Sequence, residues 1–190
     1  MKQKYGLYFM TRLAHQVKGQ LAPYCDRIEI AGSVRREKPE VSDIEVLCIP
    51  KPAPLTLLGG ADLDLLTGYL RQEVTTGKVW AKRPNERGAF TFGIQNKLLL
   101  YREIPIDVFS TDAKNWGMSL FVRTGPAEWN IKAMAAFKAA GMQGHAYGGV
   151  TGQDGKDINC PEEADVFKLL GIPYVEPSKR GDVFPRVAVH

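Results

Sequence analysis

The sequence predicts an α+β fold: a small mixed β-sheet backed by helices, followed by a smaller α/β unit. Three observations carry this. Short apolar or alternating runs at Arg27–Ala31, Ile44–Ile49 and Ile104–Phe109 have strand length and are bounded by turn formers. Longer runs with helical spacing lie between them. After Ser110 the pattern changes to helices separated by a Gly-rich stretch. The expected units are therefore residues 1–112 and 113–190.

The elements follow in order. Leu7, Phe9, Met10, Leu13, Val17 and Leu21 suit an amphipathic helix spanning Gly6 to Tyr24, which Pro23 ends. Arg27-Ile28-Glu29-Ile30-Ala31 alternates and reads as a strand. Ile44 to Ile49 is a second strand, stopped by Pro50. Leu63 to Val74 reads as a helix. Phe90–Ile94 and Lys97–Tyr101 predict a hairpin around Gln95-Asn96. Ile104–Phe109 is a further strand, with Pro105 marking an edge or a bulge. Pro126–Ala140 is a helix with Pro126 in its first turn and Gly141 past its end. Tyr147–Ile158 is Gly-rich and predicts a small hairpin. Pro161 sits at the first position of a last helix running to Leu170, with Glu162 and Glu163 at the positive end of its dipole.

Composition excludes several classes. The 190 residues are 44% hydrophobic, which is ordinary for a folded protein and excludes a disordered chain. No apolar run approaches the roughly 18 residues of a membrane span. The first residues lack the apolar region of a secretory signal. A soluble, cytoplasmic protein with no membrane partner is expected. Cys25, Cys48 and Cys160 are far apart and form no CxxC pair, so neither a zinc site nor a disulfide framework is suggested. The net charge is +4. Basic residues gather mid-chain: Arg71, Lys78, Lys82, Arg83, Arg87, Lys97 and Arg102 stand against Glu73, Glu86 and Glu103. Such a segment, Lys82, Arg83 and Arg87 above all, suits a phosphate backbone, although a solvated basic loop has the same composition. Nothing demands a dimer, so a monomer is expected.

The stretch Ala31–Ile49, AGSVRREKPEVSDIEVLCI, places two carboxylates in an otherwise apolar strand. Residues i and i+2 of a strand share a face, so Asp43 and Glu45 project together while Ile44 and Val46 face the core. An unpaired carboxylate pair would repel and raise each other's pKa. Divalent cations remove that conflict, and hard oxygen ligands suit Mg²⁺. Asp107 stands in the middle of another apolar strand. If the two strands are neighbours, three carboxylates converge and could hold two ions about 3.5 to 4 Å apart, the arrangement used for phosphoryl displacement. Gly32-Ser33 follows a strand and opens a turn, where backbone N–H groups and a hydroxyl can hold phosphate oxygens. Among Arg35, Arg36 and Lys38, an arginine can grip a triphosphate bidentately.

In this order these residues resemble the palm signature of the nucleotidyltransferase superfamily, and most closely the X family of DNA polymerases. Asp107 matches the third catalytic aspartate, Leu120–Asn130 looks like the family's thumb-side Thr-Gly segment, and Cys160–Arg180 resembles its C-terminal segment. The resemblance implies a nucleotidyltransferase palm followed by a thumb-like subdomain, without lyase or fingers domains. It implies that Asp43, Glu45 and Asp107 bind two Mg²⁺ ions, with Mn²⁺ as a substitute, and that Asp107 helps to activate a primer 3′-hydroxyl. Gly32, Ser33 and Arg36 would hold the incoming nucleotide's phosphates. Gly125 would sit against its sugar, and Asn130 would reach the minor-groove edge of its base. A cis Gly125-Pro126 bond is expected. The chain departs from the pattern at Glu45, at Val122-Arg123 where the family has an aromatic pair, and at Pro105 where an arginine often flanks the third aspartate.

The implied activity is short-gap-filling DNA synthesis from dNTPs on gapped or primer-template DNA, with release of pyrophosphate and a DNA ligase as a candidate partner. A template-independent nucleotidyltransferase acting on a DNA or RNA end, or on another acceptor, keeps the same chemistry. Asn130 and the thumb-like segment argue against it, whereas Val122-Arg123 and Glu45 leave it open. A non-catalytic DNA-end-binding module requires a lost carboxylate, and all three are present. Trp116, Phe121 and Trp129 could stack on bases, but their apolar neighbours favour core positions. Tyr147 could touch a minor groove or cap its hairpin.

Overall fold

The computed structural model describes residues 3–54, 64–145, 149–181 and 184–185. In chain order it contains β1 (Tyr5–Gly6), α1 (Leu7–Leu21), β2 (Cys25–Ile30), the one-turn helix α2 (Gly32–Arg35), β3 (Glu40–Val41), β4 (Ile44–Pro50), α3 (Leu65–Thr76) and β5 (Trp80–Lys82). There follow β6 (Asn96–Tyr101), β7 (Ile104–Ser110), α4 (Trp116–Thr124), α5 (Ala127–Ala139), β8 (Gln143–His145), β9 (Gly149–Thr151), β10 (Asp157–Ile158) and α6 (Glu163–Leu169). The class is the expected α+β. No described helix is long and apolar enough to cross a membrane.

The chain folds into two compact units. One comprises the chain up to Ile30 with Pro39–Ser110; the other comprises Ala31–Lys38 with the chain from Thr111 onward. The turn after β2 thus packs with the C-terminal unit, although it was expected within residues 1–112. The cause is side-chain chemistry: Arg35 and Arg36 bond to Glu163 and Thr124.

The first unit is built on a mixed five-stranded sheet of order β2-β4-β7-β6-β5. Only β4 and β7 run parallel. Ile44, Val46, Ile106 and Val108 occupy one face and are fully buried. α1 lies against β2 and β4 and contributes Met10, Leu13, Val17 and Leu21 to this core. A 3-10 turn at Ala22–Tyr24 takes the end of the expected helix, because Pro23 cannot donate to a continuing ladder. α3 is capped by Asp64, which accepts from the backbone N–H of Thr67 at 2.6 Å, and it ends at Gly77 in the left-handed region. The expected start at Leu63 lies outside the described residues.

Two expectations change here. Phe90–Ile94 is not a strand; it makes only isolated bridges, Pro84 with Phe90 and Phe92 with Lys97. Phe90 and Ile94 remain 65% and 54% exposed, so no apolar face rewards extension. On its side away from β7, β6 pairs instead with antiparallel β5, which sequence reasoning missed because it is only three residues long. Pro105 also does not mark an edge, for β7 lies inside the sheet. Its missing N–H is tolerated for a geometric reason. Arg102 and Glu103, both with positive φ, form the turn closed by the Tyr101–Ile104 pair. At the next pair, Leu100–Pro105, the N–H position points away from β6, and pairing with β4 begins only at Ile106.

The second unit has its own core, in which Phe121, Trp129, Phe137, Val166 and Phe167 are buried. Trp116 and Met118 are buried as well, so the aromatic residues considered for base stacking are core residues. β8, β9 and β10 form a three-stranded antiparallel sheet, one strand more than the expected hairpin. Tyr147 lies outside the described residues. α4 meets the start of the last helical segment so closely that Gly117 is required. Its N–H donates to the Cys160 carbonyl at 2.7 Å, and a Cβ there would lie 2.1 Å from the Glu162 carbonyl oxygen. Glu162, not Cys160, caps α6, through a reciprocal capping box with Asp165. Pro161 therefore stands before the cap and not at the first helical position.

Candidate active site

β4 and β7 decide where the first unit's carboxylates stand. Their parallel register sets Glu45 opposite Asp107, with Ile44 opposite Ile106 and Val46 opposite Val108. Alternation turns the aliphatic pairs into the core and leaves Glu45 and Asp107 partly exposed on the other face. Adjacent strands lie about 4.8 Å apart, so the two carboxylates are neighbours. Asp43 immediately precedes β4, two residues before Glu45. Among the described residues, no three Asp, Glu, His or Cys side chains are gathered closely enough to hold an ion as they stand. The Asp107 carboxylate is instead engaged by the guanidinium of Arg83. The donor set is one of hard carboxylate oxygens, two of them on adjoining strands, and this chemistry fits Mg²⁺ or Mn²⁺.

The basic segment divides. Lys82 and Arg87 are exposed, and Lys82 lies over the Phe92 ring at 4.9 Å. Lys97 is buried and donates to the Ile94 carbonyl at 3.0 Å. Arg83, expected to face a phosphate backbone, is turned onto Asp107.

In the second unit, Gly32 has φ of 61° and starts the one-turn helix that carries Ser33, Arg35 and Arg36. Gly32 is buried and Ser33 partly exposed. Arg36 Nη1 donates to the Thr124 carbonyl, beside the cis Gly125-Pro126 peptide. Gly125 has φ of 64° and ψ of −151°, a conformation essentially reserved to glycine. A Cβ at Gly125 would lie 3.2 Å from Arg36 Nη1 and 3.9 Å from Asn130 Nδ2. Asn130 Nδ2 donates to the Val122 carbonyl at 2.8 Å, while its Oδ1 is buried and makes no hydrogen bond. Arg36, Gly125 and Asn130 are therefore brought together.

Sequence reasoning read Glu163 only as a helix-dipole residue. It is the centre of a buried network. Arg35 donates to both its oxygens at 2.9 and 2.8 Å, Arg180 Nη1 donates at 2.7 Å, and the Tyr174 hydroxyl donates at 3.2 Å. Burial alone would push the Glu163 carboxyl up, but the hydrogen bonds and charges of Arg35 and Arg180 outweigh it and hold the group below its ordinary range. Arg180 is 1% exposed and is flanked by the rings of Phe121, Phe167 and Tyr174 at 5.4, 5.0 and 5.9 Å. Partners 128 residues apart leave no local signal in a sequence.

Residues 119–181 match the family model of the DNA polymerase beta thumb. Repair DNA polymerase X of African swine fever virus (isolate Tick/Malawi/Lil 20-1/1983) is 25% identical over 181 residues, covering 91% of this chain and 92% of that protein. These similarities support a DNA polymerase of the X family. Rat DNA polymerase lambda is 29% identical over 167 residues, and this match spans 78% of this chain but 28% of the rat protein. The fold also matches Leishmania infantum polymerase beta, solved as a ternary P/T complex, with a TM-score of 0.67 and 17% identity, over 95% of this chain and 77% of that one. The fold is consistent with a palm-plus-thumb form.

Proposed function

We propose that this chain is a metal-dependent DNA polymerase of the X family that fills short gaps during repair, joining dNMP to a primer 3′-hydroxyl and releasing pyrophosphate. The observation that carries the reading is the register of Glu45 against Asp107, with Asp43 two residues upstream. Asp43, Glu45 and Asp107 would hold two divalent ions, Mg²⁺ or Mn²⁺, which when bound neutralise charge at the reacting phosphate. The chain's own groups position the reactants. Ser33 and Arg36 are assigned to the β- and γ-phosphates of the dNTP, as hydroxyl and fork-shaped donors suited to them. Gly125 is assigned to the sugar, where the absence of a side chain allows close approach. Asn130 is assigned to the minor-groove edge of the base, and its unbonded Oδ1 is consistent with a polar partner arriving there. Asp107 accepts the proton of the primer hydroxyl. Exposed Lys82 and Arg87 are assigned to phosphates of gapped or primer-template DNA. A DNA ligase would seal the product, and the enzyme would act as a monomer.

The test is primer extension on a one-nucleotide-gapped duplex with each dNTP and rNTP, in Mg²⁺ and in Mn²⁺, beside an Asp107→Ala control. Templated incorporation that the control lacks establishes the reading. Untemplated addition assigns the chain to end-directed nucleotidyl transfer instead. No incorporation with either ion overturns it.

A further inference from the structure

Asp107 has no arginine beside it on its own strand, because Pro105 stands there. The sheet supplies one from elsewhere. Arg83 follows β5, and its N–H donates to the Leu98 carbonyl at 3.0 Å. Leu98 on β6 stands opposite Asp107 on β7, and Asp107 stands opposite Glu45 on β4. Arg83, just past the end of β5, therefore forms one row with Leu98, Asp107 and Glu45 on β6, β7 and β4. Two strand spacings of about 4.8 Å separate Arg83 from Asp107, a gap the two side chains span together. Arg83 reaches over Leu98 and ion-pairs with Asp107 Oδ1. The row thus reads cation, aliphatic, anion, anion.

Two further facts bear on what this cation does. The Arg83 and Asp107 side chains are only 20% and 17% exposed, so water screens the pair weakly. The Arg83 Nε is buried and makes no hydrogen bond, so the guanidinium is held for one group while a donor remains unused. A buried polar donor left unused costs free energy, which the ion pair with Asp107 helps to offset.

We propose that Arg83 is the positioning residue of the carboxylate site: its guanidinium holds the plane of the Asp107 carboxylate and offsets its charge against an arriving divalent cation. The assignment rests on the polymerase reading above. It makes Arg83 a part of the metal site and not a DNA-backbone contact. Its two effects separate chemically. Charge compensation needs any cation, whereas orientation needs the planar fork, which lysine lacks.

The test uses the full chain as wild type, Arg83→Gln and Arg83→Lys. Mn²⁺ binding is read directly from the free-ion electron paramagnetic resonance signal, and single-nucleotide incorporation is measured in parallel. Arg83→Gln is expected to bind Mn²⁺ more tightly, roughly threefold to tenfold, because a like charge has gone. Its kcat is expected to fall by about tenfold to a hundredfold, with KM for dNTP and affinity for gapped DNA held within about twofold. Arg83→Lys is expected to restore wild-type Mn²⁺ affinity but not kcat, and it carries the test if Arg83→Gln does not fold. Unchanged Mn²⁺ affinity with weakened DNA binding would make Arg83 a phosphate contact and overturn the proposal. So would variants indistinguishable from wild type, or full recovery of kcat by lysine. A wild-type protein that neither binds Mn²⁺ nor extends a primer would place the failure in the polymerase reading itself.

Discussion

Glu45 and Asp107 are direct register partners on the only two parallel neighbours of the sheet. Their carboxylates share the face opposite the core, while the pairs on either side, Ile44 with Ile106 and Val46 with Val108, are fully buried. A slip of one residue would exchange the two sets, so burial of four aliphatic side chains holds the acidic pair in place.

Replacing Glu45 with Gln should therefore leave the fold intact and abolish chemistry. Incorporation is expected to fall on the order of 10³-fold, about 4 kcal/mol of barrier, with Tm within a few degrees of wild type. Glu45→Asp should retain activity and change the ratio of Mg²⁺ to Mn²⁺ rates, because the shorter arm alters how both ions are met. Steady-state incorporation with each ion, alongside a melting curve, checks both. A melted Glu45→Gln protein would show that the carboxylate supports the fold.

Glu163 should dominate the acid stability of its unit. Its folded pKa lies below the ordinary carboxylate value, so it stabilises the native state above that ordinary range. That contribution is lost as pH falls through the depressed folded pKa. Glu163→Gln leaves Arg35 and Arg180 without their counter-charge and should cost about 3 to 5 kcal/mol near neutral pH. Urea midpoints measured from neutral to acid pH should fall steeply for wild type and more gently for the variant. Parallel slopes would remove Glu163 as the titrating group.

Gly125→Ala tests the proposed nucleotide contact without removing a charged group. The backbone conformation there disfavours any Cβ, at about 1 to 3 kcal/mol, and the new methyl would press on Arg36 Nη1 at 3.2 Å. KM for dNTP is expected to rise by roughly tenfold, more than kcat falls. The ratio of the two effects, from single-nucleotide kinetics, decides whether the residue lies against the nucleotide.

Cys160 should be inert in the folded protein. Burial, with a smaller contribution from Asp165, pushes its thiol up to about 11. At pH 8 its alkylation should be slower than that of a free thiol by roughly two orders of magnitude, and it should reach the free rate only in denaturant. Mass spectrometry of the Cys160 peptide over a time course reads this directly.

Much of the fold was legible because it is local. Ile44–Ile49 and Ile104–Phe109 declare themselves by apolar run length, and their acidic interruptions mark Glu45 and Asp107. The breaking residues Pro23 and Gly141 bound two of the helices within a few residues. The β5 strand escaped notice because three residues carry no periodicity, and Phe90–Ile94 was mistaken for its replacement because strand propensity does not report whether a core face exists.

By itself, the sequence determined the α+β class, the acidic residues that interrupt two apolar strands and the Gly32-Ser33 turn, all of which rest on local pattern. Only the tertiary structure decided which residues meet. It set Glu45 opposite Asp107, brought Arg83 across Leu98 to the same carboxylate, and gathered Arg35, Glu163 and Arg180 into one buried network. The physical reason is that charge pairing depends on distance in space, and strand register and helix packing bring together groups that the chain holds far apart.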